Sequence, residues 1–193
     1  MKQIIENLLL GREKFLEEFI NDENTISNIA NVANVFVNAL ENNNKILACG
    51  NGGSLCDSMH FAEELTGKFK DNRFALPAVS IADPAHITCV ANDFGFEYIF
   101  SRGVEAYGKS GDVLLAISTS GNSKNVVLAA QKAKDIGMIV VALIGGDVNC
   151  RLKKYCDFYI STPPSSSSDK IQEVHIKCIH MLIELIEYKL LGK

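Results

Sequence analysis

The residues best suited by type and spacing to do chemistry fall in three places. Ser118, Thr119, Ser120, Gly121, Asn122 and Ser123 follow an apolar run and precede an amphipathic one, a strand–turn–helix pattern. A hydroxyl-rich turn at a helix start gathers unpaired backbone N–H groups, side-chain donors and the positive end of the helix dipole, which suits a phosphate. Plain capping by Ser120 or Asn122 is the alternative reading. The chain has no GxxxxGK[ST] sequence, so the turn is not a nucleotide P-loop. The second place is His60 with Glu64, four apart; on a helix they share a face and could hold a divalent metal or a substrate hydroxyl. A solvated pair or a half-buried histidine fits that spacing equally well. The third is QEVHIKCIH, with Gln172, His175 and His180. His175, between Val174 and Ile176, reads as a core histidine with one hydrogen bond. His180, between Ile179 and Met181, needs a partner in its apolar setting. Gln172 and His180 are separated by about 12 Å of helix rise, so they share an ion only if their side chains lean together.

The elements that must position these groups follow from patterning. Two amphipathic helices open the chain, one through Ile4, Ile5, Leu8, Leu9, Phe15 and Phe19, the other through Ile26, Ile29, Ala33, Phe36, Val37 and Leu40. Strands are expected to start near Lys45, Pro77, Asp112, Met138 and Cys156. Between them come a helix through Met59 to Leu65 with Ser54 at its cap, a short apolar segment ITCVAND at 87–93, a helix through Tyr98 to Val104 closing near Gly108, and a helix from about Asn122 to Asp135. The turn-rich TPPSSSS at 162–168 leads into a long last helix from about Asp169 to Leu190. Five strands joined by helical crossovers predict an α/β, doubly wound, mostly parallel sheet flanked by helices. Residues 1–193 are expected to form one domain, with 1–41 as oligomer-packing helices and 42–193 as the α/β core. The ends of such strands are where ligands bind.

Composition narrows the function. The 193 residues are 47% hydrophobic, enough to bury a full core. A net charge of −4 and no basic cluster argue against nucleic acid or an anionic membrane as partner. Six cysteines without a CxxC pair read as reduced core residues. Charges interrupt every apolar group of MKQIIENLLLGREKFLEEF, which therefore reads as neither a signal peptide nor a spanning helix, and the expected location is cytoplasmic.

GNGGS at 50–54, HFAEELTGKF at 60–69, AND at 91–93, STSGNS at 118–123 and DKIQEVHIKCIH at 169–180 together resemble the phosphoheptose isomerases of the sugar isomerase (SIS) superfamily, essentially end to end. The resemblance implies a cytoplasmic homotetramer that interconverts sedoheptulose 7-phosphate and D-glycero-D-manno-heptose 7-phosphate, the first step toward nucleotide-activated heptose for lipopolysaccharide or capsule. It implies that Ser118, Thr119, Ser120 and Ser123 hold the phosphate, and that Asn51, Gly52, Gly53, Ser54, Asn92, Asp93 and Gln172 contact the sugar together with Glu64. It further implies His60, Glu64, Gln172 and His180 as ligands of one Zn2+ per subunit, and Glu64 with His180 as the proton-transfer pair. Moving a carbonyl between adjacent carbons needs a base and an acid of this kind. Two rivals share the fold: a non-catalytic SIS regulatory protein that binds a replication initiator, and an isomerase of another sugar phosphate.

Overall fold

The computed structural model describes residues 1–70, 72–147, 149–165 and 167–192; Ser166, within the expected 162–168 loop, lies outside the described residues. In chain order the elements are α1 (Lys2–Ile20), α2 (Thr25–Glu41), β1 (Ile46–Gly50), α3 (Gly53–Thr66), β2 (Ala78–Ser80), α4 (Pro84–Asp93), α5 (Ile99–Tyr107), β3 (Val113–Ser118), α6 (Lys124–Asp135), β4 (Ile139–Ile144), β5 (Phe158–Ser161) and α7 (Ser168–Leu190). Short 3₁₀ turns cover Phe96–Tyr98 and Leu152–Tyr155.

The strands form one parallel sheet in the order β2-β1-β3-β4-β5. Parallel strands buried on both faces read as continuous apolar runs, as ILACG, VLLAIS and IVVALI do. Successive side chains nevertheless serve different layers. Ile46, Ala48, Leu115, Ile117 and Leu143 pack with α2, α3 and α7 on one face. Leu47, Cys49, Leu114, Ala116 and Ala142 pack with α4, α5 and α6 on the other. Phe61 of α3, fully buried, meets Phe36 of α2 with ring centroids 5.5 Å apart; truncating such a phenylalanine to alanine costs about 3–5 kcal/mol. Strand order reverses direction between β1 and β3, so the turns after these two strands flank the switch point where ligands bind. Gly50 pairs in register with Ile117, which brings the GNGGS and STSGNS turns out of the sheet at the same level.

Three local expectations are corrected. Residues 87–93 lie inside a helix, α4, whose start is written in Asp83 and Pro84: the Asp83 carboxylate accepts from the His86 N–H at 2.8 Å and proline takes the first helical position. Ser54 does not cap α3. Gly52 holds that position at φ +56°, a left-handed backbone suited to glycine, and Ser54 is buried as the second residue of the helix. The cysteines are all free, but only Cys49, Cys150 and Cys178 are core; Cys56 and Cys89 are exposed and Cys156 is half-buried. α1 buries only Phe15 and Phe19 and leaves Ile4, Ile5, Leu8, Leu9 and Leu10 exposed.

Candidate active site

The β3–α6 turn carries the hydroxyl cluster. Ser118, last residue of β3, is buried; its Oγ accepts the Gly121 N–H at 3.1 Å and lies 3.3 Å from Ser123 Oγ. Gly121 has φ +62°, and a Cβ there would stand 2.2 Å from Cys150 Sγ, so the turn closes only with glycine. Neither Ser120 nor Asn122 caps α6: Ser123 occupies the cap position without a side-chain capping bond. Ser120 instead accepts the Asn122 N–H at 3.1 Å, and the Asn122 side chain accepts from the Arg151 N–H at 3.0 Å. Thr119 and Ser120 border a concavity of about 380 Å³ shared with Gly146, Asp147, Pro164 and Ser165. A groove of about 510 Å³ between α5 and α6, lined by Tyr98, Arg102 and Lys132, contains none of the candidate residues.

The β1–α3 turn is tied to this loop by an amide pair. Asn51 Nδ2 donates to Asn125 Oδ1 and Asn125 Nδ2 donates back to Asn51 Oδ1, both at 2.8 Å. Asn125 is buried. Sequence reading missed it, since nothing at a separation of 74 residues marks two asparagines as partners. Gly53 opens α3 directly beneath Gln172 of α7: a Cβ on Gly53 would stand 2.6 Å from Gln172 Nε2. Gln172 thus sits at the start of α3, beside the GNGGS turn.

Farther along the same two helices, His60 and His180 meet. Their Nε2 atoms are 3.0 Å apart, and Glu64 Oε1 lies 3.6 Å from His60 Nε2. Glu63 Oε1 is 3.5 Å from His60 Nδ1, and His60, Glu63 and Glu64 form a group able to hold a metal ion. The Glu64 side chain is 17% exposed against 64% for Glu63, so Glu64 is the sheltered carboxylate of the two. Facing imidazole nitrogens with a carboxylate beside them are an N and O donor set that a divalent cation accepts. One turn before His60, Asp57 has a buried Oδ2 without a hydrogen-bond partner; burial raises its carboxyl to about 6, against the opposing pull of His60. Phe69 covers His180 with ring centroids 5.8 Å apart.

His175 behaves as its apolar neighbours predict. It is fully buried, its Nε2 lies 3.2 Å from the Ile144 carbonyl, and burial pulls it down to about 4. The neutral ring therefore donates from Nε2 and pins α7 to the end of β4. Asn92 and Asp93 lie exposed at the end of α4, with Asn92 Nδ2 donating to Asp93 Oδ1 at 2.7 Å; among the described residues no hydrogen bond or ion pair joins them to the histidine cluster.

Comparison with known proteins identifies the family and its fold. The SIS domain family matches residues 13–145. Phosphoheptose isomerase of Cytophaga hutchinsonii is 55% identical over 91% of this chain and 92% of its own. The chain belongs to the phosphoheptose isomerase family. The Glaesserella parasuis relative is 49% identical over 92% of each chain. Among solved structures, phosphoheptose isomerase from Neisseria gonorrhoeae superposes with a TM-score of 0.89 at 35% identity, covering 96% of this chain and 98% of that one. The Francisella tularensis enzyme gives 0.89 at 36% identity, covering 95% and 96%. The fold of the family is thus the SIS-type α/β fold described above. Among the described residues no helix is long and apolar enough to cross a membrane.

Proposed function

We propose that the protein is an aldose–ketose isomerase interconverting sedoheptulose 7-phosphate and D-glycero-D-manno-heptose 7-phosphate. The observation that carries the reading is the meeting of His60, Glu64 and His180 from two helices; the hydroxyls gathered in the β3–α6 turn support an anion site there. Ser118, Thr119, Ser120 and Ser123 bind the phosphate with the open start of α6. Asn51, Gly52, Gly53, Ser54, Asn92, Asp93 and Gln172 orient the sugar chain.

The reaction moves a carbonyl between C2 and C1. Glu64 takes the proton from the carbon beside the carbonyl, an enediolate forms, and the proton is returned to the neighbouring carbon. His180 exchanges protons with the sugar oxygens and stabilises the charge that develops on them. His60, Glu64, His180 and Gln172 are the residues that would hold one Zn2+ per subunit. That metal, when bound, supplies Lewis-acid polarisation of sugar oxygens. The facing Nε2 atoms and the nearby carboxylate oxygen support the assignment of three of these ligands. Gln172, seated over Gly53 at the start of α3, is included in the set on the family resemblance.

The same reading treats residues 1–193 as one SIS domain working in the cytoplasm on a soluble sugar phosphate, with no nucleic acid or membrane partner. The exposed leucines and isoleucines of α1 support burial against other subunits of a homotetramer. A concentration-independent monomer in sedimentation would defeat that assembly.

Incubation with sedoheptulose 7-phosphate, with the aldose product followed by chromatography, tests the activity. Turnover of a different sugar phosphate in preference would reassign the substrate. Binding without turnover of any would make the protein a sensor or a regulatory subunit.

A further inference from the structure

Arg73 lies between α3 and β2, and its side chain is only 1% exposed. Its Nε donates to Glu187 Oε1 at 2.7 Å. Nη1 donates to the Leu65 carbonyl at 2.8 Å and the Phe74 carbonyl at 3.0 Å, and Nη2 to the Glu64 carbonyl at 2.7 Å. Glu187, 3% exposed, also accepts the Lys70 N–H at 3.4 Å through Oε2.

The partners make this more than a buried ion pair. Glu64 and Leu65 belong to the last turn of α3, where carbonyls have no following turn to supply N–H donors. Glu187 belongs to α7, two turns beyond His180, or about 10 Å of rise. One planar guanidinium therefore joins the backbone of Glu64 to the helix that bears His180. The same segment supplies Phe69, whose ring covers His180. A buried arginine–glutamate pair is weak evidence for stability, because apolar residues of similar volume often serve as well. What apolar residues cannot supply is a rigid fork of directed hydrogen bonds that fixes the height and rotation of a helix end. Proton transfer is sensitive to such placement, with a misplacement of about 1 Å costing on the order of 10²-fold.

We propose that Arg73, held by Glu187, is a positioning residue that sets Glu64 against His180 for proton transfer. The proposal rests on the reading of Glu64 and His180 as the proton-transfer pair.

The test replaces both partners at once, R73M/E187M, which removes the directed hydrogen bonds while keeping the site filled and uncharged. The protein is expected to stay folded with a lowered thermal midpoint, because the Glu64, Leu65 and Phe74 carbonyls lose their donor. For sedoheptulose 7-phosphate, kcat should fall by about 10-fold or more with KM changed less than about twofold, because the phosphate turn is untouched. R73K, which keeps the charge and part of the hydrogen bonding, should recover part of kcat. Wild-type kcat in folded R73M/E187M overturns the proposal. Should that variant fail to fold, E187Q and R73K decide: lowered kcat at constant KM supports positioning, and wild-type kcat in both overturns it. E64Q, measured in parallel for solvent exchange of the hydrogen beside the carbonyl, separates the two ideas. Wild-type exchange in E64Q sinks the role of Glu64 and the proposal with it. Lost exchange in E64Q with full turnover in R73M/E187M sinks the clasp alone.

Discussion

The hydroxyl turn and the histidine–glutamate cluster are assembled in opposite ways. The turn is one continuous run whose internal hydrogen bonds join residues two to five apart. The cluster joins side chains 120 positions apart, and nothing local holds His180 against His60. A contiguous anion turn is specified by turn chemistry and should lose function gradually as donors are removed. A cluster spread over two helices depends on helix packing and should fail steeply when one reacting group is lost.

The sharpest way to break that contrast is at the proton-transfer pair. E64Q preserves shape and most hydrogen bonding, and kcat is expected to drop by ~10²-fold or more while sugar phosphate binding persists. H180Q should be similarly impaired, and the double variant far less than multiplicatively worse if both serve one path. Steady-state kinetics alongside a binding titration checks this; additive losses in the double variant would separate the two residues. Metal removal comes next. Exhaustive chelation should lower activity and zinc should restore it, and H60A should lose bound metal by elemental analysis. Full activity in a metal-free sample would leave His60 and Glu64 as sugar ligands.

The hydroxyl turn should respond more mildly. S120D places like charge beside the phosphate and is expected to raise KM several-fold or more; unchanged KM and kcat would take the turn out of the site.

The smallest effect concerns the support beneath both regions, His175. Burial lowers it from 6.5 to about 4, so between those values the unfolded chain binds a proton that the folded protein does not. Its contribution is therefore fully present above pH 6.5 and is lost as pH falls toward 4, by about 3 kcal/mol at 1.36 kcal/mol per pH unit. Thermal melts at pH 7 and 4.5 should show a smaller acid loss in H175Q than in wild type. An identical acid loss would assign that limb to other groups.

Much of this protein is determined by sequence alone, because the signals are local. Apolar runs ending in glycine or serine mark the strands, 3.6-residue stripes mark the helices, and five alternating units allow little besides a doubly wound parallel sheet. STSGNS declares an anion turn by its own donors, and Val174 and Ile176 foretell a core site for His175. Helix starts were legible where their chemistry was noticed; Asp83-Pro84 signalled α4, and the apolar residues that follow hid its period. Tertiary structure alone decided the rest. It brought Glu64 and His180 to one place, joined Asn51 to Asn125, set Gln172 over Gly53 and buried Arg73 between two helices. Each of these depends on how α3, α6 and α7 lie across the sheet, and that is fixed by the summed packing of both cores rather than by any short run of residues.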